Sequence, residues 1–302
     1  MENYLLAMAV FAGCYALMAL GLNLIFGLAG MINLGLVGFF AIGAYCSALL
    51  TVKLHVSMLL AWPAAILVAS ACGVCMALVT ARLRGDYLAI VTLGFSEVIR
   101  LVASNEIWLT NGTDGISAIY APGRGVLSPI LFNLQFVAIV WLAVALAALL
   151  IACLSAAPFG RVLRAIREDD VIAAVAGKRV LRFKLQAFAI GAGLMGAAGV
   201  LYAHFNAYIA PDSFQPLVTI YVVLALTAGG TGTVRGAVLG AVLVVALTEG
   251  TRFLGGVVPG LAPVQIAALR EAIIGVVLIL VLTYRPGGII PESSRTHRLE
   301  TP

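Results

Sequence analysis

Uninterrupted apolar runs of roughly membrane-spanning length constrain the fold of this chain more than any other feature. The run from Tyr4 to Phe26, for example, contains no charged residue. A helix of about 20 apolar residues spans the roughly 30 Å hydrocarbon core of a bilayer. Only helices and closed barrels satisfy their backbone polar groups there, and the ten-residue alternation of a barrel strand is absent. The runs therefore predict an all-α, polytopic membrane protein.

The overall composition excludes an ordinary soluble domain. Hydrophobic residues make up 63% of the 302 residues and charged residues only 10%, against about 45–50% and about 25% in soluble domains. The net charge of +5 indicates topology rather than a nucleic-acid partner, since basic residues collect in short cytoplasmic loops. The CxxC pair Cys72 and Cys75 lies within an apolar run, which favours packing over metal binding or redox chemistry.

The apolar runs predict about nine spans within a single transmembrane domain, residues 1–292, followed by a polar tail, 293–302. Eight or ten spans remain alternatives, because Gly-interrupted segments can also be re-entrant. We read the first run as a retained span rather than a signal peptide, since no basic region precedes it. The predicted segments are 4–26, 36–50, 57–79, 87–103, 130–154, 185–205, 217–228, 237–253 and 265–284.

Basic residues predict the orientation of these spans. Residues 158–184 contain seven basic side chains and are therefore assigned to the cytoplasm. Successive loops lie on opposite sides of the membrane. Counting loops outward from this segment therefore places the N-terminus and the polar insertion 104–129 outside. The same alternation places Arg82, Arg84 and the tail inside. The predicted arrangement is N-out and C-in.

Two Gly-rich interruptions occur at similar places in the two halves of the chain. They read GLAGMINLG, residues 27–35, and GGTGTVRG, residues 229–236. Interrupted apolar segments in both halves are typical of a transport path, although two ordinary tight turns would look the same. Asn23, Asn33 and Tyr45, near the first break, are candidate path-lining residues, with packing as the alternative role.

The cytoplasmic segment mixes charges of both signs with small residues, which plain positive-inside anchoring does not require. The pattern predicts a helix from Arg161 to Ala176 that ends at Gly177. A short helix with one apolar and one charged face is typical of an element that docks into a groove on a partner protein. The candidate docking residues are Arg161, Arg164, Arg167, Glu168, Asp169, Ala173, Ala174 and Gly177.

No motif for covalent chemistry is present in the sequence. There is no phosphate-binding GxxxxGK[ST], no HExxH and no GxSxG, so we predict no catalytic, metal-binding or cofactor-binding residue. An ion-coupled secondary transporter of small polar solutes is one alternative, and a membrane-embedded enzyme is another. Both would call for polar clusters within the spans. The intramembrane charges, such as Glu97 and Arg100, favour interfacial ion pairs over contact with a substrate.

Nearly the whole chain resembles the permease subunits of bacterial ABC importers for branched-chain amino acids, of the LivM type. The resemblance is carried by motifs in matching order and spacing. These are GLNLIFGLAGMINLGLVGFFAIGAY (21–45), LRGDYLAIVTLGFSEVIRLVASN (83–105), LTNGTDGI (109–116), FGRVLRAIREDDVIAAVAGKRVLRFKLQAFAIGAGLMGAAGVLYA (159–203), PDSFQPL (211–217), GGTGTVRGAVLGA (229–241) and YRPGGII (284–290).

The resemblance implies a subunit that works with a second homologous permease, two cytoplasmic ATPases that bind the ATP, and an external substrate-binding protein. It implies a bacterial plasma (inner) membrane location and a coupling role for residues 160–180 against an ATPase. The substrate would be Leu, Ile or Val, another amino acid, or urea and short amides. Three departures from the family pattern are Ala174 in place of a Glu, Lys178-Arg179 in place of an apolar residue followed by Asn, and Asn111 in place of a second Gly.

Overall fold

The computed structural model of the protein describes residues 2–81, 83, 85–250, 263–285 and 287–292. Arg82, Arg84 and the tail 293–302, which the sequence assigns to the cytoplasm, lie outside the described residues. The described part is almost entirely helical. Six of its helical segments are long and apolar enough to cross a membrane, which makes the chain a multi-pass membrane protein. These six are Glu2–Leu28, Met58–Val79, Asp86–Asn105, Pro129–Ala156, Val180–Asn206 and Pro211–Gly229.

Twelve α-helices are present among the described residues. They are α1 (Glu2–Leu22), α2 (Leu36–Val52), α3 (Met58–Val79), α4 (Asp86–Asn105), α5 (Ile107–Thr110), α6 (Pro129–Ala156), α7 (Pro158–Glu168), α8 (Asp170–Val175), α9 (Val180–Asn206), α10 (Pro216–Gly229), α11 (Val234–Gly250) and α12 (Pro263–Tyr284). A π-helical turn, Asn23–Leu28, extends α1. Two 3₁₀ turns, Gly112–Asp114 and Pro211–Phe214, lie in the connections.

Each of the nine predicted apolar segments overlaps one of these helices, and residues 251–253 of the eighth segment lie outside the described residues. Contacts between described loops define two ends of the bundle. At one end, here called the insertion end, Lys53 Nζ donates to the carbonyl oxygens of Trp108 and Leu109 at 2.7 Å. At the other, here called the basic end, Lys184 Nζ lies 3.1 Å from an Asp170 carboxylate oxygen.

The insertion 104–129 is folded onto the insertion end rather than extended from it. Its two-residue strand β1 (Ile116–Ser117) pairs antiparallel with β2 (Tyr208–Ile209), a small ribbon that the sequence did not predict. Asn111, at the departure from the family pattern, adopts a left-handed conformation with φ of 61°. Asparagine tolerates that conformation better than most residues, so the replacement fits the turn.

The centre of the bundle is a close helix contact between α2 and α9, with α1 and α3 packed on either side of α9. The contact is made by small residues, which permit helix backbones to approach closely. A Cβ atom added to Gly43 would lie 2.1 Å from the carbonyl oxygen of Gly196. One added to Gly199 would lie 2.0 Å from that of Phe40. These backbones approach too closely for any side chain to separate them.

Candidate functional site

The charged segment forms two helices, α7 and α8, where the sequence predicted one helix from Arg161 to Ala176. That prediction was wrong at Asp169, which is extended, with φ of −156° and ψ of 114°. Its carboxylate accepts hydrogen bonds from the backbone N–H groups of Val171 at 2.8 Å and Ile172 at 3.1 Å. An Asp side chain that caps a new helix in this way competes with continuation of the preceding one. The predicted end at Gly177 agrees with its left-handed φ of 78°.

The two helices have opposite relations to the bundle. α7 buries Gly160, Leu163 and Ile166 against it. α8 buries only Ala173 and leaves its branched apolar residues in the open: Val171 is 54% exposed, Ile172 67% and Val175 85%. The candidates Ala174 and Gly177 are exposed beside them, as are Arg161, Glu168 and Asp169. We call Val171, Ile172, Ala174, Val175 and Gly177 the α8 surface.

A groove of about 460 Å³ runs between α7 and the α8 surface. Its floor is mainly apolar, with Val162, Ala165 and Ile172 among the lining residues. Charged side chains, including Arg161 and Lys178, line it as well. Branched apolar side chains that stand exposed next to an apolar groove, with charges around them, have the character of a protein-interaction surface.

Arg164 and Arg167 do not belong to this exposed surface, because both are bound within the chain. Arg164 Nε donates to Glu292 Oε1 at 3.0 Å, and Arg167 Nη1 donates to Glu292 Oε2 at 2.9 Å. Arg167 also donates to the carbonyl oxygen of Gly27, in the first Gly-rich break. The two arginines thus connect α7 to the C-terminal segment 285–292 and to that break.

The two Gly-rich breaks approach each other closely, since a Cβ atom added to Gly27 would lie 2.7 Å from the backbone nitrogen of Gly232. Asn23, in the π-helical turn that leads into the first break, binds the second break: its Oδ1 accepts from the N–H of Gly232 at 2.8 Å, and its Nδ2 donates to the carbonyl oxygen of Thr233 at 3.2 Å. Glu292 lies against the same turn, since a Cβ atom added to Gly232 would sit 2.6 Å from its Oε2. The breaks, α7 and the C-terminal segment therefore form one connected unit at the basic end.

The C-terminal segment contributes backbone hydrogen bonds to this unit. The N–H groups of Ile289 and Ile290 donate to the carbonyl oxygens of Ala228 and Gly229, both at 2.9 Å. Those carbonyls belong to the last turn of α10, where the helix itself provides no N–H donor for them. Ile289 and Ile290 thus complete the end of an interrupted helix, which explains how non-helical backbone is satisfied at this place in the bundle.

The three candidate path-lining residues are all buried in this conformation. Asn23 is 0% exposed, Asn33 1% and Tyr45 6%. Asn33 Oδ1 accepts from the N–H of Gly35 at 2.9 Å and so shapes the first break. Among the described residues, the Tyr45 hydroxyl has no hydrogen-bond partner. The structure gives the two asparagines a part in holding the breaks, and their role in a transport path stays a prediction.

Glu292 is the contributor to this unit that sequence reasoning missed. It lies next to the polar tail, 128 and 125 residues from its two arginine partners, and no local pattern links these positions. The sequence feature that could have drawn attention to this region is the motif YRPGGII, because Pro and Gly directly after the last span indicate an ordered turn. The cap at Asp169 was readable from sequence, because an acidic residue before an apolar turn is a common N-cap.

We expect Glu292→Gln to loosen the basic end without unfolding the bundle. The change removes the charge that both arginines share, and the two partly exposed pairs together are worth about 1–2 kcal/mol. The melting temperature of the purified protein in detergent should fall by a few degrees, and protease should cut near residue 285 sooner. Asp86→Asn, which removes an exposed carboxylate at the same end, is the matched control. Equal behaviour of the two variants would contradict the pairing.

Comparison with known proteins identifies a family whose sequences match most of this chain. A family model described as the branched-chain amino acid transport system permease component matches residues 4–282. The LivM permease of the high-affinity branched-chain amino acid transport system of Salmonella typhimurium is 32% identical over 316 residues, covering 95% of this chain and 70% of the relative. The Escherichia coli LivM permease is also 32% identical, covering 92% of this chain and 68% of the relative.

A second group of relatives carries a different subunit name. The LivH permease of the same Salmonella typhimurium transport system is 28% identical over 302 residues and covers 91% of each chain. The chain is therefore similar along most of its length to two differently named permeases. No solved structure gives a significant match to this chain.

Proposed function

This chain belongs to the family of branched-chain amino acid transport system permease components, and from that premise we propose that it is the membrane subunit of an ATP-driven importer. The α8 surface carries the proposal. Three exposed branched apolar side chains stand at the basic end of the bundle, beside a groove with a mainly apolar floor. Such a surface is what a membrane subunit needs in order to bind a soluble ATPase.

Contacts behind α8 suggest how movement of the ATPase would reach the bundle. α7 is anchored through Arg167 to the first Gly-rich break and through Glu292 to the second. A force on the α8 surface would therefore act on both interrupted helices together, as a rigid-body movement of packed elements. We propose that this movement opens a path alternately to the two sides of the membrane.

The proposed complex contains a second, related permease, two cytoplasmic ATPases and an external substrate-binding protein. The similarity to both LivM and LivH permeases supports a pairing of two related subunits. The folded insertion 104–129, at the end opposite α8, offers exposed aromatic residues such as Trp108 and Tyr120 to a binding protein. The proposed location is the bacterial inner membrane.

We propose leucine, isoleucine or valine as the cargo, because the relatives are named as branched-chain amino acid permeases. The direct test is leucine uptake into proteoliposomes that contain the complete complex. Uptake should require ATP and should be blocked by vanadate. Uptake by this chain alone, driven by an ion gradient, would instead identify a secondary transporter and overturn the proposal.

The proposed topology is nine crossings with the N-terminus outside and the C-terminus inside. It predicts that a membrane-impermeant thiol reagent labels Val126→Cys in intact cells but labels Val175→Cys only after permeabilisation. Both positions are more than four-fifths exposed, at 88% and 85%, so accessibility to solvent is matched. The background should carry Cys75→Ala and Cys153→Ala, since these two native cysteines are exposed. The opposite labelling pattern would invert the proposed orientation.

A further inference from the structure

A pocket of about 210 Å³ lies within the bundle and is lined by residues of α1, α2, α9, α10 and α11. Each of these five helices packs against at least two of the others. The pocket is therefore a space between packed helices of one chain, rather than a hollow on an outer face that lipid or a second subunit would cover.

The pocket begins near the insertion end and extends into the bundle. Its lining residue Ser213 belongs to the 3₁₀ turn that follows strand β2. Tyr202 lies four residues before the end of α9, and its ring centroid is 6.1 Å from that of Phe11. From Phe11 the lining continues along α1 to Met18, which is about 10 Å nearer the basic end at 1.5 Å per residue. The pocket thus leads from the side that the proposed topology places outside toward the middle of the bundle.

The lining combines one charged group with apolar walls. Glu249, in the last turn of α11, is the one charged residue among the described lining residues. Its Oε2 accepts a hydrogen bond from the Tyr4 hydroxyl at 2.7 Å, which holds the carboxylate in place without neutralising its charge. A carboxylate among membrane helices is costly and marks a binding site or path more often than a packing contact. The apolar part of the lining comprises Phe11, Cys14, Met18, Phe40, Val218 and Val245.

We propose that this pocket binds the amino-acid cargo on its way through the membrane, with the ammonium group on the Glu249 carboxylate. The branched side chain of the cargo would lie deeper, against Phe11 and Met18, where it is removed from water. Tyr15 and Ser213, which also line the pocket, carry hydroxyl groups that would donate to the cargo carboxylate. The proposal rests on the proposed function and names the residues that hold the cargo.

The first test measures leucine transported per ATP hydrolysed by the complete transporter in proteoliposomes. Glu249→Gln removes the negative charge but keeps an oxygen that accepts from Tyr4, so assembly should be unchanged. The ratio should fall by about tenfold or more, because a charge-assisted hydrogen bond to the ammonium group is lost. Glu97→Gln is the matched control. Glu97 is also a partly exposed carboxylate on a membrane helix, but α4 contributes none of the described lining residues, so this variant should transport like the unmodified protein.

A second measurement does not depend on turnover. Val218→Cys places a thiol in the pocket, in a background that carries Cys75→Ala and Cys153→Ala. In the purified complex, saturating leucine should slow modification of this thiol by about threefold or more, because a bound ligand excludes the reagent. The analogue 4-methylpentanoate, which is leucine without its ammonium group, should not protect it. Val126→Cys, at a position 88% exposed in the insertion, should react at the same rate with or without leucine.

Normal transport by Glu249→Gln, or unchanged modification of Val218→Cys in leucine, would overturn the site while leaving the importer assignment intact. An equal loss of transport in Glu97→Gln would also count against the site, since that carboxylate lies outside the pocket. If the unmodified complex moved no amino acid while leucine still protected Val218→Cys, the importer assignment would fall and the binding site would stand.

Discussion

Replacing Ile172 and Val175 together by aspartate should release the ATPase and reduce ATP-dependent uptake to background. Both side chains are mostly exposed, at 67% and 85%, so the variant disrupts little packing within the chain. On the proposed function these residues are buried against the ATPase, and burying two unpaired carboxylates there would cost several kcal/mol. A loss of about 4 kcal/mol weakens binding roughly a thousandfold. The measurement is co-purification of the ATPase with the membrane subunit.

The control for this experiment is Val126→Asp, at the insertion end. Val126 is also highly exposed, at 88%, and the change is chemically the same, but it lies at the opposite end of the bundle. It should leave the ATPase bound. Normal co-purification and uptake in the double variant would show that the α8 surface is not the ATPase contact. Reversing the charges of Arg164 and Arg167 would be a less direct test of ATPase binding. Both arginines pair with Glu292, so that variant would also break contacts within the chain.

Gly43→Ala should prevent stable folding, although alanine is intrinsically the better helix former. The added methyl group would meet the carbonyl oxygen of Gly196 at 2.1 Å and the Cα atom at 2.6 Å. Both are backbone atoms, so α2 and α9 would have to separate along their whole contact. Overpacking of this kind costs about 3 kcal/mol or more where no side chain can yield. The expected result is a large loss of folded protein in membranes and a lowered melting temperature in detergent.

Gly275→Ala on α12 is the matched substitution. Gly275 also lies within a long helix, but no atom lies within 4 Å of an added Cβ. Because alanine is favoured over glycine in helices by about 1 kcal/mol, this variant should be as stable as the original protein or slightly more stable. If Gly43→Ala were equally well tolerated, the close approach of α2 and α9 would be refuted.

The helices and the small-residue contact were predictable because their causes are local. Each apolar run carries its own signal for a span, and the Gly spacing in α9 marks a face that permits close approach. The prediction failed at Asp169, where one side chain, by accepting two backbone hydrogen bonds, caps a new helix and divides the segment into two helices. It also missed the ribbon between β1 and β2, since two residues on each strand leave no readable alternation.

The candidate site was only partly predictable, because sequence cannot tell an inward-facing charge from an outward-facing one. Arg161 and Arg164 lie three residues apart with the same chemistry, yet Arg161 is exposed and Arg164 is paired with Glu292. The sequence interpretation of Glu97 and Arg100 as an ion pair agrees with the structure.

By itself, the sequence determined that this is a helical membrane protein, where its apolar helices lie, and which family it resembles. These properties follow from the hydrophobicity and order of neighbouring residues, which the chain carries whatever its conformation. Tertiary structure alone decided that the two Gly-rich breaks meet through Asn23, that Glu292 holds two arginines, and that α8 stands exposed. Such contacts join residues up to 210 positions apart, and their free energy exists only once the helices have packed.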